Sequence, residues 1–161
     1  MKSVKFVITK EELYGRIFAT SAYTVRAREA MGVPHSVTER MMLTADDKKF
    51  IDPFIADSVN EVFTHIIRHH PDSSIDFTLD EYGGYYMFNI KVPESYPTGN
   101  EDRLGKCIES YMTNHTLQNW YTEIKPDEAG IIAVKTQNDA AIIHQLLTQR
   151  EKPSSLFQEI L

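Results

Sequence analysis

The stretch Ile75-Asp76-Phe77-Thr78-Leu79-Asp80-Glu81-Tyr82-Gly83-Gly84-Tyr85-Tyr86-Met87-Phe88-Asn89-Ile90-Lys91-Val92 decides the fold. Ile75, Phe77 and Leu79 alternate with Asp76 and Thr78, and Tyr86, Phe88, Ile90 and Val92 alternate with Met87, Asn89 and Lys91. Each arm carries the period-two pattern of a strand with one buried face. Asp80-Glu81-Tyr82-Gly83-Gly84 joins them, with glycines available for positive φ, so the segment reads as a β-hairpin over 75–92. A lone hairpin is only marginally stable in water and needs a third strand or a helical layer.

The third strand is at the N-terminus, where Val4, Phe6 and Ile8 alternate with Lys5 and Val7. Thr9-Lys10-Glu11-Glu12 then matches a capping box and predicts a helix over roughly 10–30. Its apolar stripe runs through Tyr14, Ile17, Phe18 and Val25, and Gly32 and Pro34 stop it. Thr44-Ala45-Asp46-Asp47 starts a second helix, whose broad stripe includes Phe50, Ile51, Ile55, Val59, Val62 and Ile66 and which Pro71 closes. Pro53 leaves its start open: the helix begins there with Asp52 as N-cap, or Pro53 kinks an earlier start. Asn100, with Glu101 and Asp102 behind it, caps a third helix reaching about Ile124, and Pro126 opens a fourth that stops before Pro153. The expected class is α+β: four main helices, a hairpin and an N-terminal strand in a small antiparallel or mixed sheet.

Between the first two helices, residues 31–44 form a long arm with Val33, Val37, Met41, Met42 and Leu43. So many apolar residues need cover, from the domain itself or from a partner. Residues 1–153 make one domain, and residues 154–161 are a short tail with Leu156, Phe157, Ile160 and Leu161. That tail is too short to build a core and too apolar for an ordinary solvated end, and it reads as a docking peptide.

The chain has 161 residues, which suits a single compact domain. Its 17 basic and 23 acidic side chains give a net charge of −6, which disfavours a protein that grips nucleic-acid phosphates. The charge is uneven: residues 1–40 hold 7 basic and 4 acidic residues, and the remainder holds 10 and 19. Such a split suits a basic end meeting an acidic flank of another copy. A single cysteine forbids an intrachain disulfide and fits a reducing cytoplasm. The first residues are too short an apolar run for a secretory signal, and no segment has the ~20 apolar residues of a membrane helix.

Chemical motifs are sparse. His65, His69 and His70 cluster in sequence, but Ile66-Ile67-Arg68 leaves no glutamate for an H-E-x-x-H site and adds a cation. Histidines at a helix C-terminus, where positive charge suits the dipole, explain them better. His35, His115 and His144 have no spacing that suggests a joint site. Cys107, among Leu104, Ile108 and Tyr111, reads as an inert buried thiol. No nucleophile elbow, Walker loop or dinucleotide fingerprint occurs, and the carboxylate pairs fall in first helical turns or in the hairpin turn. Tyr82 and Tyr85 straddle the hairpin glycines, where an intrachain core reaches both poorly, so they join the tail residues as candidate partner contacts. Trp120-Tyr121 is closer to a core pair.

The run Leu43-Thr44-Ala45-Asp46-Asp47-Lys48-Lys49-Phe50-Ile51 leading to Ser58-Val59-Asn60-Glu61-Val62 resembles the second-helix signature of small virion structural proteins of tailed phages of Bacteroides and their relatives, including the crAss-like group. The run from Tyr111 through Trp120-Tyr121, with the closing Arg150-Glu151-Lys152-Pro153, is similar to that family's final region. The resemblance implies a non-enzymatic head-tail connector or neck-ring subunit without cofactor or metal, assembled in many copies between portal and tail. It also implies a virion location after synthesis in the host cytoplasm, a DNA channel nearby without specific DNA binding, and no membrane contact. Two other classes stay open: a small cytoplasmic protein-binding module such as a phage-encoded regulator or inhibitor, and a metalloprotein built on His65, His69 and His70.

Overall fold

The computed structural model describes residues 1–150. Strand β1 (Lys2–Thr9) leads into helix α1 (Lys10–Ala30), followed by the single turn α2 (His35–Thr38) and the long helix α3 (Lys48–His69). Strands β2 (Ser74–Thr78) and β3 (Tyr85–Val92) form the hairpin, and helices α4 (Glu101–Ile124) and α5 (Pro126–Thr148) follow among the described residues. The fold is α+β, with four long helices and a three-stranded antiparallel sheet of order β1-β3-β2.

The register puts the apolar positions on one face. Phe6 lies opposite Phe88, and Ile75 lies opposite Phe88 from the other side. Val4, Ile8, Phe88, Ile90 and Val92 are buried beneath the helices, and Phe6 stacks on Phe88 with ring centroids 4.7 Å apart. Gly105 lets α4 come close to the sheet, since a Cβ there would stand 3.3 Å from the Phe6 ring. The opposite face carries the row Val7, Met87 and Asp76, all exposed, so the sheet is covered on one side.

Local chemistry fixes the element ends. The Thr9 hydroxyl accepts from the Glu12 N–H, and the Lys10 N–H donates to the Gly84 carbonyl at 2.9 Å, so the hairpin turn helps to cap α1. Asp80 Oδ1 accepts from the N–H groups of Tyr82 and Gly84, both at 2.8 Å, and this closes the turn. At Gly84, φ is +104° and a Cβ would lie 2.6 Å from both Phe77 Cζ and the Thr78 carbonyl, so only glycine fits.

Pro53 lies inside α3, which resolves the two starts left open by the sequence. The chain enters through a 3₁₀ turn, Ala45–Asp47, where the Thr44 N–H donates to the Asp47 carboxylate at 2.9 Å. Asp52 caps nothing; it accepts from Tyr14 and pairs with Lys10. Asn100 is the N-cap residue of α4, as expected, and its carbonyl accepts from the Leu104 N–H at 2.8 Å, but its side chain makes no cap bond: the amide donates to Gln149 Oε1 at 2.7 Å, tying the start of α4 to the end of α5.

The 31–44 arm packs on its own domain. Met41 and Leu43 are buried, and the Leu43 N–H donates to the Ser21 hydroxyl at 3.1 Å. Met31, Val37 and Met42 remain exposed along it. The residues of the 154–161 tail lie outside the described residues.

Candidate functional site

Tyr82 and Tyr85 do not share one tip. Tyr82 is 63% exposed at the turn, beside the still more exposed Leu79. Tyr85 is the first residue of β3, half-buried on the open sheet face between Thr9 and Thr78. Leu156, Phe157, Ile160 and Leu161, the other sequence-stretch candidates for partner contact, fall outside the described residues.

Beneath Tyr82 runs an open groove of about 750 Å³ between the hairpin turn, α1 and the start of α3. Tyr14, Phe18, Lys48, Asp52 and Glu81 line it. The Tyr14 hydroxyl donates to Asp52, Lys10 Nζ lies 3.1 Å from the same carboxylate, and Lys48 Nζ sits 4.8 Å from the Tyr14 ring centroid. Burial and the adjacent carboxylate raise the Tyr14 phenol well above its ordinary value, so it stays protonated near neutrality. The cluster ties α1 to α3 by charge and holds no activated nucleophile.

The histidines are arranged differently from the sequence grouping. His70 is buried and its Nε2 donates to the Leu147 carbonyl at 2.7 Å, while the Tyr96 hydroxyl donates to the Leu146 carbonyl at the same distance. Together they satisfy carbonyls in the last turn of α5, which removes His70 from any joint site with its neighbours. His144 of α5 joins His65 and His69 instead, with ring centroids 5.0 to 6.2 Å apart in edge-on contacts. Burial, then Arg68 and the neighbouring rings, lowers the pKa of His65; burial, then the neighbouring rings and Arg68, lowers that of His69. His65 and His69 do lie in the last turns of α3, as the dipole reading expects, but both shifts oppose the positive charge that would suit the dipole there. Among the described residues, no group of three or more His, Cys, Asp or Glu is placed to hold a metal ion. Cys107 is partly buried and burial pushes its thiol up, away from thiolate reactivity.

The polar arrangement that spacing did not reveal lies between α3 and α4. Tyr111 donates its hydroxyl to Glu61 Oε2, and His115 Nε2 stands 3.3 Å from the same oxygen. Asn119 Nδ2 lies 3.3 Å from His115 Nδ1 and donates to the His115 carbonyl at 2.8 Å, which holds the ring in place. Glu61 and Tyr111 are 50 residues apart, so no local pattern announces the contact.

No family model, curated protein or solved structure matches this chain. No described helix is long and apolar enough to cross a membrane.

Proposed function

We propose that the chain is a non-enzymatic assembly subunit of a phage virion: a head-tail connector or neck-ring protein that packs in many copies around the DNA channel. The observation that carries this reading is the hairpin turn, which holds Leu79 and Tyr82 out in solvent at 75% and 63% exposure on a stiffly braced loop. A turn fixed by Asp80, by two glycines and by the Lys10–Gly84 bond presents these side chains at little entropic cost, as an interface anchor requires. Met31, Val37 and Met42 on the arm and Val7 and Met87 on the open sheet face supply further apolar surface.

Two different exposed surfaces, hairpin tip and arm, suit head-to-tail contacts that close into a ring. The basic excess of residues 1–40 against the acidic remainder favours the same polarity, and the overall charge of −6 suits a conduit that must let DNA slide. Portal, tail or other neck proteins are the partners this reading names, with synthesis in the host cytoplasm before incorporation.

Light scattering across a concentration series, followed by electron microscopy alone and with a portal protein, tests the reading. Closed rings are expected, and L79D/Y82D should abolish them with an unchanged melting temperature. A chain that stays monomeric under all these conditions overturns it and leaves the protein-binding module in its place.

A further inference from the structure

Helices α3, α4 and α5 enclose a groove of about 330 Å³, lined by Glu61, Val62, Thr64, His65, Tyr111, Ala140 and Ile143. Its size falls at the small end of the range for small-molecule sites, and its makeup is that of such a site: apolar walls with a few polar groups. Val62 and Ile143 are buried, and together with Ala140 they form a hydrocarbon wall.

The polar part carries one formal charge of known sign. Both groups that approach Glu61 use Oε2: the Tyr111 hydroxyl and His115 Nε2. Oε1 has no hydrogen bond among the described residues, although an ionised carboxylate accepts about four. No lysine or arginine lines the groove. Burial and the nearby Arg68 lower the His65 pKa and so oppose a positive charge at that end of the groove. The Tyr111 ring adds an aromatic surface beside the carboxylate.

We propose that this groove binds a small organic cation, an alkylammonium whose charged head pairs with Glu61 and whose hydrocarbon body covers Val62, Ala140 and Ile143. An anion of the same shape would be repelled by the Glu61 carboxylate. A neutral hydrocarbon would desolvate Glu61 and give nothing back. Arg68, beside His65 one turn further along α3, repels a cation at that end and so directs the head toward Glu61. The pairing is charge-assisted, and contact of the hydrocarbon body with Val62, Ala140 and Ile143 adds to it. The proposal does not depend on ring assembly and would stand for a monomer.

The test is a titration of the full chain with hexylammonium, followed by amide NMR shifts, with hexanoate as the charge-reversed control. Saturable shifts centred on Glu61, Val62 and Ile143 are expected for the amine and not for hexanoate. E61Q, at an exposed position, should keep the melting temperature and weaken binding by about tenfold or more. A second variant, A140W, should block binding by filling the groove. Equal binding of hexanoate, unchanged affinity in E61Q, or no saturable shift with the amine would each overturn the proposal. So would binding of a lysine-bearing peptide without binding of the free amine.

Discussion

Arg28, in the last turn of α1, grips the carboxylate of Glu128 in the first turn of α5 through two nitrogens: Nε reaches Oε1, and Nη2 lies 3.2 Å from Oε2. Glu128 is only 2% exposed, so its charge is compensated almost entirely by this fork. The pair joins the oppositely signed ends of two helix dipoles, with the cation at a C-terminus and the anion at an N-terminus. Replacing Arg28 with Met leaves a buried carboxylate without its partner. R28M should lower stability by about 3 kcal/mol, as read from urea denaturation. The double variant R28M/E128M should recover most of that loss, and a single variant as stable as the parent would show the pair to be idle.

Gly84 tests the brace of the hairpin turn. At φ +104°, a side chain is strained whatever the surrounding space, and here the new Cβ would also strike the Phe77 ring and the Thr78 carbonyl. Backbone cannot rotate away as a side chain can. G84A should cost roughly 1–3 kcal/mol, and it should loosen the Lys10–Gly84 bond, visible as faster hydrogen exchange at Lys10. G99A, at another positive-φ glycine with open space around it, should cost less because only the backbone term remains.

What was legible in the sequence follows the distance over which each cause acts. The hairpin, the N-terminal strand and the long helices were readable because period-two and helical patterns, caps and prolines are all local. Helix α1 runs Lys10–Ala30 and α4 ends at Ile124, as those signals direct. Pro53 was not settled, because its effect depends on Asp52: the carboxylate that would cap a late start is taken by Tyr14 and Lys10 from α1. The arm was ambiguous for the same reason, since its anchor is Ser21, 22 residues away from Leu43. The candidate site was the least readable part. Glu61, Tyr111 and Ile143 come from three helices, and nothing in their spacing brings them to one groove.

Acid should destabilise the fold, and the sign follows from the histidines. Burial lowers His65, His69 and His70, so their folded pKa values lie below the unfolded value of about 6.5. Their contribution is complete above that value and is lost as pH falls through the folded pKa values, because the unfolded chain then binds more protons. Arg68, Arg150 and the neighbouring rings act in the same direction, while the Leu147 carbonyl partly offsets burial at His70. Glu29 raises His35 in the opposite sense, but that ring is at the surface and its effect is screened. The melting temperature should drop between about pH 7 and pH 5.5. H65Q/H69Q should flatten that slope, and parallel curves for parent and variant would show that the drop originates elsewhere.

Removing residues 154–161 separates assembly from folding. The body of the chain closes without them: the last-turn carbonyls of α5 are already satisfied by His70 and Tyr96, and Leu146 and Leu147 are buried against residues within the described chain. The removed segment carries Leu156, Phe157, Ile160 and Leu161, four large apolar side chains in eight residues. If they dock on a neighbour, truncation costs less than about 1 kcal/mol of monomer stability yet shifts the mass distribution toward smaller species. Urea denaturation and light scattering on the same sample read both quantities. Loss of stability together with assembly would place the tail on its own domain, and unchanged assembly would reject tail docking outright.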